Sequence, residues 1–261
     1  MQLQVLASGS GGNAALVRAG ELALLLDAGL PIDALEQRLA AARLPPHRLD
    51  AIVLTHGHLD HARSAGLLAR KSGARVYCSV GLLANASLRG ARATCALPAG
   101  GRVTVRAARG GDELALATVP LPHDADPTFA LVLEHGGRRL ALCTDLGAAD
   151  PAVGRALAGV HVLALEFNHD AELLARGPYT PALKRRVGGP RGHLSNAQAA
   201  ELLALALAPE LHTLVLVHLS ATNNRPELAL ASAQGVLERA GRTDVRLVVA
   251  EQERIGAALA V

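Results

Sequence analysis

The apolar run Ala51-Ile52-Val53-Leu54 leads directly into Thr55-His56-Gly57-His58-Leu59-Asp60-His61. A short run, partly β-branched and preceded by Asp50, reads as a buried strand. Four side chains that can bind a metal, His56, His58, Asp60 and His61, thus fall within six positions. They stand at a strand's carboxyl end, where open α/β sheets build their sites. His56 and His58 are two apart, so both project from one side while the chain stays extended. Asp60 and His61 are neighbours and would point apart in a straight strand. For both to face metal the backbone must curl, and Ala62–Lys71 suggests the helix into which it curls. Imidazole suits Zn2+ and other first-row ions, and a carboxylate adds hard oxygen and negative charge.

Other strands end in the same way. Glu113–Pro120 delivers Leu121-Pro122-His123-Asp124, Leu140–Cys143 runs into Thr144-Asp145-Leu146-Gly147, and Leu214–Val217 is followed by His218. Placement at a strand end favours ligation by His123 over an isolated surface histidine. An unpaired carboxylate buried after Cys143 would be costly without a cation. Val160–Phe167 ends in Glu166-Phe167-Asn168-His169-Asp170, which reads either as site lining or, at Asn168 or Asp170, as a cap for the helix Ala171–Ala175.

Leu3–Ala7, Ala14–Arg18 and Glu21–Leu26 read as a strand meander. The Ser8–Asn13 turn could cradle a phosphate on its N–H groups, but it lacks a Walker lysine and a plain tight turn needs the same glycines. Helices are expected over Ile32–Leu44, Gly81–Arg89, Ala197–Leu207 and Glu227–Ala240, with strands at Arg75–Val80 and Val245–Ala250. Ala99–Asp112 reads as strand and turn, Phe129–Glu134 with Arg139–Cys143 as a hairpin whose turn carries a solvated His135, and Tyr179–Arg191 as a basic loop. Ser195 with Gln198 fits a capping box, which makes Ser195 a cap rather than a nucleophile. No linker or short-period repeat divides the chain, so residues 1–261 read as one α/β domain.

Composition narrows the setting. With two Phe, two Tyr and no Trp, the core must be aliphatic. Cys78, Cys95 and Cys143 are odd in number and lack CxxC spacing, which points to a reducing compartment. Met1-Gln2-Leu3-Gln4 does not open a signal peptide and no run has membrane-spanning length, so a cytoplasmic location is expected. A net charge of +3 does not by itself diagnose a nucleic-acid partner.

The His-x-His-x-Asp-His stretch, followed by His123, Asp145 and His218, resembles the metallo-β-lactamase superfamily of metallohydrolases. The resemblance implies an αββα four-layer sandwich, the metallo-β-lactamase fold, and two divalent metal ions per chain, Zn2+ or Mn2+. It assigns His56, His58 and His123 to one ion, Asp60, His61 and His218 to the other, and Asp145 to the bridge between them. Asp27, in Asp27-Ala28-Gly29, would support the metal loop. The Ser8–Asn13 opening, the Glu166–Asp170 stretch, Gly192-His193-Leu194-Ser195-Asn196 and His218-Leu219-Ser220 with Asn223-Asn224 narrow the resemblance to the YycJ/WalJ-like branch, which is linked to DNA exonuclease activity. The implied reaction is hydrolysis of a phosphodiester, with DNA held through its backbone, by a metal-activated water. Asp60 would take part in the reaction; His193, at the N-terminus of the helix Ala197–Leu207, either meets the scissile phosphate there or is a solvated residue before the cap, and Asn168, His169, Arg191, Ser220 and Asn223 are candidates for contact with substrate or support of the ligands. The competing readings are a small-molecule metallohydrolase (cyclic phosphodiesterase, thioesterase or lactonase) and a non-catalytic metal-binding regulator.

Overall fold

The computed structural model describes residues 1–108, 111–125 and 127–261. Its first half is a meander, β1 (Gln2–Ala7), β2 (Ala14–Ala19) and β3 (Leu22–Leu26), followed by α1 (Ile32–Ala41), β4 (Ala51–Val53), α2 (Leu59–Ala62), α3 (Ala65–Ser72), β5 (Arg75–Ser79) and β6 (Thr94–Leu97). The second half repeats the plan with β7 (Arg102–Arg106), β8 (Glu113–Leu121), β9 (Thr128–His135), β10 (Arg138–Cys143), α4 (Pro151–Leu157), β11 (Val162–Glu166), α5 (Ala171–Arg176), α6 (Pro181–Val187), α7 (Asn196–Ala206), β12 (Thr213–Val217), α8 (Pro226–Arg239) and β13 (Arg246–Val249). A short β14 (Leu259–Ala260) returns to pair with β1.

Two seven-stranded sheets result, ordered β14-β1-β2-β3-β4-β5-β6 and β13-β12-β11-β10-β9-β8-β7. In each, antiparallel neighbours joined by short turns give way to parallel strands joined by helices. Strand periodicity builds the layers. Leu24 and Leu26 of β3 face the other sheet and meet Leu131, Leu133, Leu140 and Val215, while Leu25 between them turns outward to Leu35, Leu39 and Leu68. On the far side Leu163, Leu165 and Leu214 pack under Leu202, Leu203 and Leu237. This is the αββα sandwich, and its core is aliphatic as the composition requires.

Several expectations need correction. Gly81–Arg89 is not an α-helix; it holds two 3-10 turns, Val80–Leu82 and Ala86–Leu88, separated where the Asn85 side chain accepts from Ser87 N and diverts the backbone. Tyr179–Arg191 is not all loop, because Thr180 caps α6 and Pro181 opens it. His135 ends β9, half-buried, with Nε2 3.8 Å from Asp112 Oδ1 rather than fully solvated. The helix expected over Ile32–Leu44 stops at Ala41, and that expected over Ala62–Lys71 starts earlier and breaks into α2 and α3. In the turn expected up to Asp112, residues 109 and 110 lie outside the described residues. β6, α4 and β14 are additions that periodicity did not reveal. Among the described residues, no helix is long and apolar enough to cross a membrane.

Candidate metal centre

Parallel register carries the ligands to one edge. In one sheet Leu26 pairs with Val53, so Asp27 and Thr55 emerge side by side. In the other Cys143 pairs with Leu165 and Glu166 with Val217, which brings Asp145, Glu166 and His218 together. After β4 the chain stays extended through His56 to His58 and then curls into α2, with His61 and Ala62 both donating to the His58 carbonyl. That curl is what the adjacency of Asp60 and His61 demanded.

The side chains fall into overlapping groups. His56, His58 and His123 form one and Asp60, His61 and His218 a second; Asp145 groups with His56 and His61, and in each group the ligand atoms lie within 4.8 Å of one another. Asp145 Oδ2 is 3.1 Å from His61 Nε2, and its Oδ1 is 3.9 Å from His123 Nε2. His56 Nε2, His123 Nε2 and His218 Nε2 are buried without a hydrogen-bond partner among the described residues, and buried Asp145 Oδ2 has only the His61 ring beside it. One such orphan costs about 1–3 kcal/mol, so three unpartnered imidazole nitrogens around a buried carboxylate fit a divalent cation far better than an empty core.

The other ring nitrogens are occupied. His61 Nδ1 stands 2.7 Å from Asp27 Oδ2, His218 Nδ1 2.9 Å from Glu166 Oε1, His123 Nδ1 3.0 Å from the Gly192 carbonyl and His56 Nδ1 3.0 Å from Thr55 Oγ1. An acceptor at Nδ1 places the proton there and leaves Nε2 as the donor of a lone pair. Asp27 also accepts from Thr55 N at 2.8 Å, and the Ser8 hydroxyl accepts from His218 N at 2.7 Å. Asn13 N and Nδ2 both donate to the Asp60 carbonyl, and Nδ2 stands 3.0 Å from His61 Nε2. The Ser8–Asn13 turn therefore braces both ligand loops. Its Gly9 and Gly11 N–H groups are used internally, by Asn13 Oδ1 and Gln252 Oε1. Among the described residues, three of the four non-glycine positions with positive φ are Asp27 (60°), Asp145 (64°) and His218 (57°), so backbone strain is concentrated where strands hand side chains to the site.

Burial and neighbouring charges pull the titrating groups in opposite directions. Burial lowers the basicity of His56 and His123, helped by neighbouring imidazoles. At His218 burial acts in the same direction, but Asp145, the nearby Asp60 carboxylate and the bond to Glu166 outweigh it and push the ring up to about 10. Burial would raise Asp145, yet the charges of His218 and His61 hold it well below the usual carboxylate range.

A family model described as beta-lactamase superfamily domain matches residues 23–219, the span that contains every one of these ligand candidates. The chain belongs to that superfamily. It is 33% identical over 250 residues to exodeoxyribonuclease YycJ of Bacillus anthracis, covering 92% of this chain and 90% of the relative. It is 32% identical over 232 residues to exodeoxyribonuclease WalJ of Streptococcus pneumoniae, covering 86% and 84%. The crystal structure of the metallo-β-lactamase fold protein YhfI from Bacillus subtilis superposes with a TM-score of 0.72 at 17% identity, over 97% of this chain and 98% of that one. This superfamily member is accordingly a metallo-β-lactamase-fold hydrolase of the YycJ/WalJ branch.

The remaining candidates take distinct places in this superfamily site. His193 lines the open cleft, of about 470 Å³, that leads to Asp60, Asp145 and His218. Its ring centroid is 5.3 Å from that of His123 and 5.2 Å from that of His218. Its Nδ1 is 2.8 Å from Glu166 Oε1, and it precedes the Ser195 capping box of α7, so the Glu166 carboxylate rather than a helix end governs it. Burial alone would lower His193, but Glu166 and Asp145 outweigh that and raise it. Asn168 Nδ2 donates to the His218 carbonyl, and Arg191 Nε to the His123 carbonyl, so each steadies the backbone of a candidate ligand. His169 is buried and its carbonyl accepts from Asn196 N. The Ser220 hydroxyl accepts from Asn223 N, and the buried Asn223 carbonyl accepts from Asp170 N, so these three shape the loops behind the cleft.

Two acids escaped notice as individuals in the sequence. Glu166 is fully buried and receives His193, His218, Leu146 N and Leu194 N. Asp124 Oδ1 is 3.4 Å from His58 Nε2 and 3.3 Å from His123 Nε2, and its Oδ2 accepts from Arg186 Nε at 2.6 Å. Their signal was position alone: Glu166 ends an apolar strand, and Asp124 follows the candidate ligand His123.

Proposed function

We propose that the protein is a dinuclear metal-dependent phosphodiesterase that removes nucleotides from DNA. The observation that carries this is the pair of three-ligand groups with Asp145 between them, grouping with His56 of one and His61 of the other, and with imidazole Nε2 atoms turned inward by a partner at Nδ1. The exodeoxyribonuclease names of relatives matched over at least 84% of their length supply the substrate class. His56, His58 and His123 would hold one cation, Asp60, His61 and His218 the other, and Asp145 both. Two divalent ions there, Zn2+ or Mn2+, would supply Lewis acidity, lowering the pKa of water and stabilising charge on attacking and leaving oxygens.

The chain's own groups do the rest. Asp60, whose carboxylate is about a quarter exposed on the cleft, accepts a hydrogen bond from the attacking water and so orients it. His193 bonds through Nδ1 to Glu166, which leaves Nε2 as the ring atom that carries a proton towards the leaving oxygen. Arg186 on the cleft wall offers charge to the phosphate backbone without reading bases.

The test compares end-labelled linear DNA with cyclic nucleotides and thioesters as substrates of the metal-loaded protein, alongside His193→Ala and His218→Ala. DNA should be degraded from an end. His193→Ala should keep two metals per chain while kcat falls about 10²–10⁴-fold, the usual worth of a general acid. His218→Ala should lose metal as well. Preferential turnover of a thioester or cyclic nucleotide would overturn the nuclease reading, and full activity with a ceiling of one metal would overturn the dinuclear one.

A further inference from the structure

The chain has only four Phe, Tyr and Trp rings, and three of them are committed to packing. Phe129 and Phe167 are completely buried and Tyr77 is 5% exposed. The fourth, Tyr179, is only half-buried and lines the same cleft as Asp60, Asp145, His193 and His218. A protein so poor in aromatics places its single accessible one beside the candidate reaction centre.

Its mounting is stiff. Tyr179 and Thr180 stand between Pro178 and Pro181, each of which fixes its own φ and restrains the residue before it. Thr180 Oγ1 accepts from Leu183 N and starts α6. Lys184 Nζ reaches back to the Ala175 carbonyl at 2.6 Å, and Arg186 Nε to Asp124 at 2.6 Å, so α6 is tied both to α5 and to the loop that carries His123. Leu183, four residues after Tyr179, continues the cleft wall. Leu59 of α2, a leucine 67% exposed, lines the cleft as well. Arg186, on that wall, adds positive charge.

We propose that Tyr179 is a base platform: the terminal nucleobase of a DNA strand, unpaired from its partner, stacks on this ring while its phosphate lies between Arg186 and the ligand cluster. The proposal rests on the nuclease reading above. Every base has a π-face, so one ring serves a strand of any sequence, as an enzyme consuming nucleotides in turn requires. Because the backbone on either side of the ring is restrained before substrate arrives, less ordering is lost on binding. The cleft volume of about 470 Å³ lies in the range of pockets for single small ligands, so it suits one nucleotide rather than a duplex. A frayed or single-stranded end is therefore the preferred substrate.

The experiment uses the metal-loaded protein and its Tyr179→Ala, Tyr179→Leu and Tyr179→Phe variants. Substrates are single strands labelled at the 5′ or 3′ end, with a normal or an abasic terminal nucleotide. Phosphorothioate-ended strands carrying terminal 2-aminopurine report stacking by fluorescence quenching, independently of turnover. Loss of stacking, at about 1–3 kcal/mol per base, corresponds to roughly a 5- to 150-fold rise in KM for Tyr179→Ala and Tyr179→Leu. That rise should vanish on abasic ends, with kcat and metal content near wild type, and quenching should survive only in wild type and Tyr179→Phe. Equal KM in wild type and Tyr179→Ala, an equal KM rise on abasic ends, or undiminished quenching in Tyr179→Ala would each overturn the platform while leaving the nuclease reading intact. A wild-type protein that degrades no DNA would overturn both.

Discussion

Replacement of Glu166 by Gln tests whether one buried carboxylate sets the ligand state of His218. Glu166 Oε1 accepts from His193 Nδ1 at 2.8 Å and His218 Nδ1 at 2.9 Å, while Oε2 accepts from Leu146 N at 3.3 Å and Leu194 N at 3.2 Å. Burial would raise its pKa, but the His193 charge and the bonds from His193 and His218 outweigh this and hold it at about 2. It is thus an anionic acceptor at any working pH. Glutamine is nearly the same size but has only one accepting end. If its amide nitrogen faces the imidazoles, His218 must accept at Nδ1 and carry its proton on Nε2, the atom grouped with Asp60 and His61. If the nitrogen faces the backbone instead, it meets two buried N–H donors, at about 1–3 kcal/mol for each unsatisfied group. Loss of a ligand's supporting acceptor typically weakens metal affinity about 10–100-fold, or roughly 1.4–2.7 kcal/mol. The His56, His58 and His123 group keeps its own partners at Thr55 and Gly192, so only one of two binding steps should weaken. Calorimetric titration of metal-free protein with Zn2+ resolves the steps, and chelator competition gives the affinities. Two unchanged steps, or two steps weakened equally, would refute the tautomer argument.

Asp145→Asn keeps the volume but removes the charge shared by both groups; at least one cation should be lost and hydrolysis should fall to background, as read by elemental analysis and turnover. Gly29→Ala puts a methyl onto the Asp60 carbonyl, which Asn13 and the start of α2 hold in place, so a loss of about 1–3 kcal/mol in stability should accompany weaker metal binding. Gly73→Ala, at φ 79° with open space around it, should cost on the order of 1 kcal/mol from backbone strain alone and leave metal binding unchanged. Burial pushes the Cys78 thiol up to about 11 from an ordinary 9.0, so a thiol reagent at pH 8 should modify half-buried Cys95 while sparing buried Cys78 and Cys143 until denaturant is added. Above pH 9 the unfolded chain loses that proton first, so Cys78 should make stability fall as pH rises towards 11, visible in urea titrations; a rise would refute its burial.

Much of the centre was legible because its signals are local. Apolar runs that stop at His, Asp or His-x-His identify strand ends, and the adjacency of Asp60 and His61 required the turn that α2 supplies. The capping box at Ser195 and Gln198 was readable for the same reason, since both partners lie within one helical turn. Misreadings came where local preference was weak. Gly81–Arg89 carries helix-compatible residues, yet the Asn85 side chain competes for a backbone donor, and α6 begins inside a basic, proline-marked stretch that reads as loop.

The sequence by itself determined which residue types could bind a cation and that strands would carry them to one edge, because both follow from spacing along the chain. Tertiary structure alone decided their partnerships. His218 and Glu166 are 52 residues apart and His193 and Glu166 are 27 apart, and they meet because β10, β11 and β12 run parallel in a register that levels their carboxyl ends. Asp124 and Arg186, 62 residues apart, are joined by the same edge, and Tyr179 reaches the cleft through that anchorage. No periodicity reports such pairings, since register across a sheet is fixed by how many side chains must be buried on each face, and that is a property of the assembled core.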